Sequence, residues 1–204
     1  MKKFIAVAGN MGVGKSSMVE FLCSQYGFEP VYEPYTTNPY LDDFYADMGR
    51  WGYHSQLYFL THKFRLHLEL GKQTCIVVQD RTIYEDAEIF ATNLARSGHM
   101  SGRDFQTYQE LYRTMRTALQ PPDLMIYLRC STRAIRRRIK KRGRPSEQAI
   151  PLEYLRGLNT LYEEWMEGYD LSPRIVWDSE RDDYLTDLVQ QIQFRRVLKP
   201  FLEG

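Results

Sequence analysis

A short apolar run, residues 4–8, leads directly into Gly9-Asn10-Met11-Gly12-Val13-Gly14-Lys15-Ser16, which satisfies G-x-x-x-x-G-K-[ST]. No other segment constrains the chain as tightly, because this pattern works only as a strand, a tight loop and a helix in succession. Glycines let consecutive backbone N–H groups converge on phosphate oxygens, and the helix N-terminus adds positive potential. Lys15 is then placed to bridge β- and γ-phosphates and the Ser16 hydroxyl to ligate Mg²⁺, with Ser17 completing the ATP-binding segment.

The rest of the chain follows the same grammar. Further short apolar runs at 28–32, 75–79, 124–128 and 174–177 read as strands, and amphipathic stretches near 15–26, 39–48, 51–70, 82–97, 103–119, 132–142, 152–167 and 181–198 read as helices. Alternation of this kind predicts an α/β fold: a P-loop three-layer α/β/α domain with a five-stranded parallel sheet and additional helices over one end. A length of 204 residues without repeats or linkers predicts one domain across 1–204. Hydrophobic residues at 43% and charged residues at 26% exclude a disordered or fibrous chain. A net charge of +1 argues against a general nucleic-acid binder. Cys23, Cys75 and Cys130 lack any metal-ligand spacing and read as reduced thiols of a cytoplasmic protein. The apolar run after Lys3 is too short for a signal peptide, and no stretch of roughly 18 apolar residues exists to span a membrane.

A P-loop does not specify a reaction, so the other strand ends must discriminate. No N-K-x-D motif is present, which weighs against guanine-specific GTP hydrolysis. The run 75–79 ends at Asp80-Arg81, and parallel sheets present ligands at the carboxyl ends of their strands. Asp80 there can hold Mg²⁺ or accept a proton, and Arg81 can clamp an anionic oxygen; a helix cap with a surface arginine is the plainer alternative. Glu33 closes the second run, and Pro34 forces it into an extended conformation, so its carboxylate can take the proton of an attacking hydroxyl. Between Arg129 and Arg144 the chain carries Arg133, Arg136, Arg137, Arg138, Lys140, Lys141 and Arg142 but no acidic residue. Ile135 and Ile139 give this stretch one buried face. A solvated surface or a nucleic-acid patch is possible for such a run, but Arg138, Arg142 and Arg144 leading into Gly143 and Pro145-Ser146-Glu147 fit better as a lid, at about 138–150, closing over polyphosphate. Periodicity alone does not single out Gln56 or Lys63 in the 51–70 helix.

Taken together, the P-loop, Tyr32-Glu33-Pro34, Asn38-Pro39-Tyr40-Leu41, Phe44-Tyr45, Gln56-x-Tyr58, the run from Asp80 to Asp86, Phe90, Tyr127-Leu128-Arg129 and the run from Arg138 to Arg144 resemble the deoxynucleoside kinase family, most closely its bacterial deoxyadenosine/deoxycytidine and deoxyguanosine kinase branch. The resemblance covers roughly residues 3–200. It implies Mg²⁺-dependent transfer of the ATP γ-phosphoryl group to the 5′-hydroxyl of a deoxynucleoside. On that resemblance, Glu33 deprotonates the 5′-hydroxyl, Arg81 holds that carboxylate and the 5′-oxygen, and Asp80 is the rival proton acceptor or Mg²⁺ partner. Tyr45 and Glu147 bind the 3′-hydroxyl, Gln56 reads the base edge, Phe90 stacks on the base, and Arg138, Arg142 and Arg144 embrace the phosphates. Asp178-Ser179-Glu180-Arg181 resembles the loop lying against the adenine of ATP.

Lys63 and Asp86 stand where some cytosine- and purine-accepting members carry Arg and Asp, which points to deoxyadenosine or deoxycytidine. The chain departs from that pattern in having Lys at 63, which lacks a planar fork, and Asn38 where animal members place an aromatic residue. Deoxyguanosine is the alternative substrate. A thymidylate-like monophosphate kinase shares the P-loop and lid, but its phosphorylated acceptor needs added cations and no strong base, so Glu33-Pro34 and Gln56 favour the nucleoside. A silent nucleotide sensor is disfavoured by the intact Lys15, Ser16, Glu33, Asp80 and Arg81. The resemblance also implies a homodimer, with the aromatic-rich 51–70 and 103–119 stretches as candidate faces.

Overall fold

The computed structural model describes residues 2–32, 37–182 and 184–203. Its centre is β1 (Lys3–Ala8), buried along nearly its whole length. A strand covered on both faces must be apolar at every position, and that is what the continuous run 4–8 encodes. Around it lie β2 (Glu29–Val31), β3 (Ile76–Asp80), β4 (Leu124–Arg129) and β5 (Arg174–Asp178) in the order β2-β3-β1-β4-β5, and every strand pairing among the described residues is parallel. Register sets Val7 beside Asp80, and Arg129 beside Asp178. The carboxyl ends of β1 and β3 therefore open onto one crevice. At the opposite end, Asp123 ties β4 to β1: its Oδ2 accepts from Phe4 N–H at 2.6 Å while its own N–H donates to Phe4 O at 2.7 Å.

Helix α1 (Lys15–Tyr26) begins after Gly14 and stops at Gly27, both in the left-handed region, with Gly27 N–H donating to Cys23 O. It packs on β1, β2 and β3. Next come α2 (Leu41–Ala46) and α3 (Met48–Leu70), separated by Asp47, whose carboxylate accepts from Arg50 N–H at 3.0 Å. This cap starts α3 three residues earlier than the 51–70 expectation and ends α2 short of 48. The expected helix 82–97 is interrupted: α4 (Ile83–Glu85) passes into a π-helical stretch, Asp86–Ala91, and then α5 (Thr92–Arg96). Apolar periodicity does not register such a widened turn. Helix α6 (Gly102–Arg116), α7 (Thr132–Arg142) and α9 (Leu152–Glu167) lie close to their expected places. Between α7 and α9 the expected lid loop contains a short helix, α8 (Pro145–Gln148), with Pro145 at its first position, where the fixed φ favours a helix start.

The last helix is corrected. It runs as α10 (Leu188–Glu203), where the sequence pattern gave 181–198. Residues 178–182 instead form a turn, in which Asp178 Oδ1 accepts from Glu180 and Arg181 N–H and Trp177 Nε1 donates to Asp182 O. Asp187 then caps α10, its Oδ1 accepting from Val189 N–H at 2.8 Å.

Near the closed end of the sheet, His67 of α3 is buried edge-on against Phe4, and its Nε2 meets Gln120 O at 2.7 Å. Nδ1 has no hydrogen-bond partner among the described residues. Desolvation lowers the imidazole pKa, only partly offset by the Gln120 carbonyl. A depressed folded-state pKa means that the unfolded chain takes up the proton first, so this residue costs stability as pH falls through the ordinary histidine range. Urea unfolding compared at about pH 7.5 and about pH 5.5 is expected to show a loss on acidification that His67→Leu makes smaller. An identical pH slope in the variant would exclude His67 as its source.

Candidate active site

The crevice at the carboxyl end of β1 begins with a turn that only glycine can make. Gly9 has φ 144°, and a β-carbon there would stand 2.7 Å from Leu128 O and 2.9 Å from Val13 Cγ1. The loop is then fastened from several sides. Asn10 Oδ1 accepts from Met11 N–H at 2.7 Å, and Asn10 Nδ2 donates to Leu155 O and Asn159 Oδ1 of α9. Lys15 Nζ donates to Gly9 O and Asn10 O, both at 3.0 Å, so its ammonium closes the mouth of the loop. Ser17 follows in the first turn of α1. Ser16 Oγ donates to Asp80 Oδ2 at 2.6 Å, while Asp80 Oδ1 is buried with no hydrogen-bond partner among the described residues. A hydroxyl beside a carboxylate oxygen left open is a donor set suited to a hard divalent cation that takes its remaining ligands from water and phosphate.

Directly after Asp80, Arg81 is the one non-glycine among the described residues with positive φ, 63°. That strained conformation is held by tertiary contacts. Arg81 N–H donates to Val7 O at 3.1 Å, Nη2 reaches Gly9 O at 3.4 Å, and the guanidinium carbon sits 4.4 Å above the centre of the Phe90 ring. The π-helical stretch is what delivers Phe90 and Asp86 to this spot.

A cavity of about 280 Å³ extends from these residues. Met11, Gly12, Lys15, Ser16, Asp80 and Arg81 line it around the P-loop, Tyr45, Gln56, Asp86 and Phe90 line it from the helices, and Arg142, Arg144 and Glu147 of the expected lid form its cover. Gln56 is buried, and its Oε1 has no hydrogen-bond partner among the described residues, so the cavity presents an amide oxygen awaiting a donor. Behind the wall, fully buried Lys63 donates to Asp86 Oδ1 at 2.6 Å and lies 5.6 Å from the Phe59 ring centre. Tyr154 also lines the space; burial raises its pKa against the lowering effect of Arg81, which keeps its hydroxyl protonated. In the cover, Glu147 accepts from Arg142 and, at 3.3 Å, from Arg144, and α8 packs on α2, which carries Tyr45.

The structure thus gathers most of the residues expected from sequence, with three exceptions. Glu33 lies outside the described residues. Lys63 acts from behind Asp86 and does not line the cavity. Arg138 points elsewhere: its guanidinium donates to Val13 O at 2.7 Å, Ser179 Oγ at 3.1 Å and Ser179 O at 2.5 Å, fastening α7 and the loop after β5 to the P-loop. Asn38 is turned toward α3, donating to Ser55 Oγ at 3.0 Å. Phe59 and Tyr154 in the cavity wall belong to no motif of the sequence, and Phe44 in the wall and Glu85 behind it fall within the family-like motifs without a role of their own. The aromatic positions carry no signal beyond core periodicity, whereas Thr82-x-x-Glu85 has the spacing of a capping box, which the structure contains.

Comparison with known proteins accords with this geometry. The deoxynucleoside kinase family profile matches residues 5–202. The chain is 40% identical over 185 residues to the deoxyadenosine/deoxycytidine kinase of Bacillus subtilis, covering 90% of this chain and 85% of that protein. It is 36% identical over 191 residues to the deoxyguanosine kinase of Lactobacillus acidophilus, covering 89% and 83%. Among solved structures, the deoxyadenosine kinase of M. mycoides with the product dCMP and a flexible dCDP bound superposes with a TM-score of 0.85 at 31% identity, covering 98% of this chain and all of that one.

The Lys63–Asp86 pair supplies a test of the wall. Removing one member of a buried ion pair leaves the other charge without its counter-ion. Lys63→Met is expected to lower unfolding free energy by about 3–5 kcal/mol, read from denaturant titration. A loss under about 1 kcal/mol would show that the pair is not desolvated as the structure has it.

Proposed function

The chain belongs to the deoxynucleoside kinase family, and from that premise we propose that it transfers the γ-phosphoryl group of ATP to the 5′-hydroxyl of a deoxynucleoside, with deoxyadenosine and deoxycytidine the preferred acceptors. The observation that carries this reading is the sharing of one cavity by the P-loop and by Gln56, Asp86 and Phe90. Phosphoryl transfer needs little covalent help from the protein and much positioning and charge stabilisation. P-loop backbone N–H groups and Lys15 supply these at the donor, and Arg142 and Arg144 complete the charge shell when they exchange Glu147 for phosphate oxygens. Tyr45 and the released Glu147 are then placed for the sugar 3′-hydroxyl. In this reading the role of Arg138 is to hold the loop after β5, with its Ser179, against the P-loop beside the nucleotide.

Ser16 and Asp80 are the residues that would hold Mg²⁺, which neutralises phosphate charge when bound. Because Asp80 is engaged with Ser16 on the donor side, the proposal gives the proton of the attacking hydroxyl to Glu33 and the 5′-oxygen to Arg81. Glu33 follows Tyr32, which itself lines the cavity. The Gln56 amide requires a base with complementary groups, and a base that leaves it unpaired is rejected. Asp86 beside Lys63 favours a base with an exocyclic amino group; deoxyguanosine is the alternative within the same reading. The assignment extends to a cytoplasmic homodimer acting as one domain in deoxynucleoside salvage. The three unpaired thiols support that location, and no helix among the described residues is long and apolar enough to cross a membrane.

Two measurements test the mechanism. With ATP, Mg²⁺ and deoxyadenosine or deoxycytidine, the protein is expected to form ADP and the 5′-monophosphate in equal amounts. Glu33→Ala is expected to lower kcat by about 10²–10⁴-fold with ATP affinity by calorimetry nearly unchanged. Retained turnover in that variant would move the proton-accepting role to Asp80.

A further inference from the structure

Glu85 is a fully buried carboxylate that does not line the cavity, yet it touches both halves of the site. Its Oε2 closes the capping box of α4, accepting from Thr82 N–H at 2.8 Å and from the Thr82 hydroxyl at 3.3 Å. A cap needs no more than this, and capping side chains ordinarily sit at the surface. Oε1 does something else. It accepts from Gly9 N–H, in the first peptide of the P-loop, at 3.2 Å, and from Tyr162 OH of α9 at 2.8 Å, and it lies 3.9 Å from Arg81 Nε. Burial beside this carboxylate raises the Tyr162 pKa far above its ordinary value, so the phenol remains a donor.

Gly9 is thereby gripped on both sides by ionic groups, its N–H by Glu85 and its carbonyl by Lys15 and Arg81. We infer that Glu85 is a positioning residue for phosphoryl transfer, which sets the first P-loop peptide and the Arg81 guanidinium in fixed relation so that donor and acceptor oxygens align. This rests on the kinase reading above. The four hydrogen bonds around Glu85 all come from donors, and an ionised carboxylate is acceptor-only. Glutamine has the same shape but turns an N–H₂ toward one of those donors and removes the charge facing Arg81. A small misplacement of a buried catalytic group costs on the order of 10² in rate.

The test compares wild type, Glu85→Gln, Arg81→Gln and the double variant for kcat and for both KM values, each rate normalised to ATP-binding sites counted by calorimetry. Glu85→Gln is expected to lose about 10–100-fold in kcat, with the deoxynucleoside KM moving less than about threefold. In the Arg81→Gln background the same change is expected to cost under about threefold, since its effect runs through Arg81. A kcat per site within about twofold of wild type, or a loss that multiplies in full with that of Arg81→Gln, would overturn the inference. Should Glu85→Gln fail to fold, Tyr162→Phe decides: it keeps the carboxylate and removes one donor, and a kcat unchanged from wild type would overturn the inference, whereas a drop of about threefold or more supports it. Wild-type protein without nucleoside-dependent turnover would remove the kinase reading itself, an outcome separate from active wild type with unimpaired Glu85→Gln.

Discussion

The turn out of the central strand has no room for a side chain. A β-carbon on residue 9 would press into the carbonyl of Leu128 on β4, and the two peptides that flank this residue are bonded by charged groups, one at the Gly9 N–H and the other at the Gly9 carbonyl. The rest of the site follows from that contact. Because β1 lies between β3 and β4, the loop leaving it meets Asp80 on one side and the middle of α7 on the other. Ser16 reaches Asp80, Arg81 reaches back to Gly9, and Arg138 and Ile139 of α7 rest on the loop. A parallel sheet with this strand order brings Ser16, Asp80 and Arg81 together at the carboxyl ends of β1 and β3, and the helices beyond it supply the rest of the cavity wall.

In the proposed reaction, burial is the source of selectivity for the acceptor. Lys63, Asp86, Gln56 and Arg81 are all withdrawn from water, a costly arrangement unless each polar group finds a partner. Lys63 donates to Asp86 Oδ1, and Arg81 is held by the Gly9 carbonyl and the Phe90 face. The Gln56 oxygen is hydrogen-bonded by no described residue, which makes it one of the groups a ligand can complete. Gln56, Asp86 and Phe90 line the same cavity as the P-loop residues, with the Arg81 guanidinium 4.4 Å above the Phe90 ring.

Much of this was legible in the sequence because two patterns are nearly free of ambiguity. The run 4–8 followed by the glycine-rich motif fixes β1, the loop and α1, and the remaining apolar runs place four more strands within a residue or two. What periodicity does not carry is one-off geometry. The π-helical stretch that aims Asp86 and Phe90, the turn that delays α10 to residue 188, and the short helix after Gly143 depend on particular caps and tertiary contacts. Gln56 and Lys63 sit on a helix face where buried polar and apolar residues alternate, so only resemblance to a family singles them out. Arg138 looks in sequence like its neighbours in the basic run, and its direction toward the P-loop is decided by packing of α7. Glu85 was encoded as a capping box, but the second oxygen's reach to Gly9 crosses 76 residues of chain and leaves no local trace.

The central claim is that the acceptor is an unphosphorylated deoxynucleoside. The most direct test is ATP consumption with Mg²⁺ against deoxyadenosine, deoxycytidine, deoxyguanosine and thymidine, each set beside its own 5′-monophosphate. The structure predicts turnover with the nucleosides, led by deoxyadenosine and deoxycytidine, and none with the monophosphates. Turnover confined to a monophosphate would contradict it, since the γ-phosphoryl group would then be received by a phosphate oxygen, which needs no base to deprotonate it, and not by the 5′-hydroxyl.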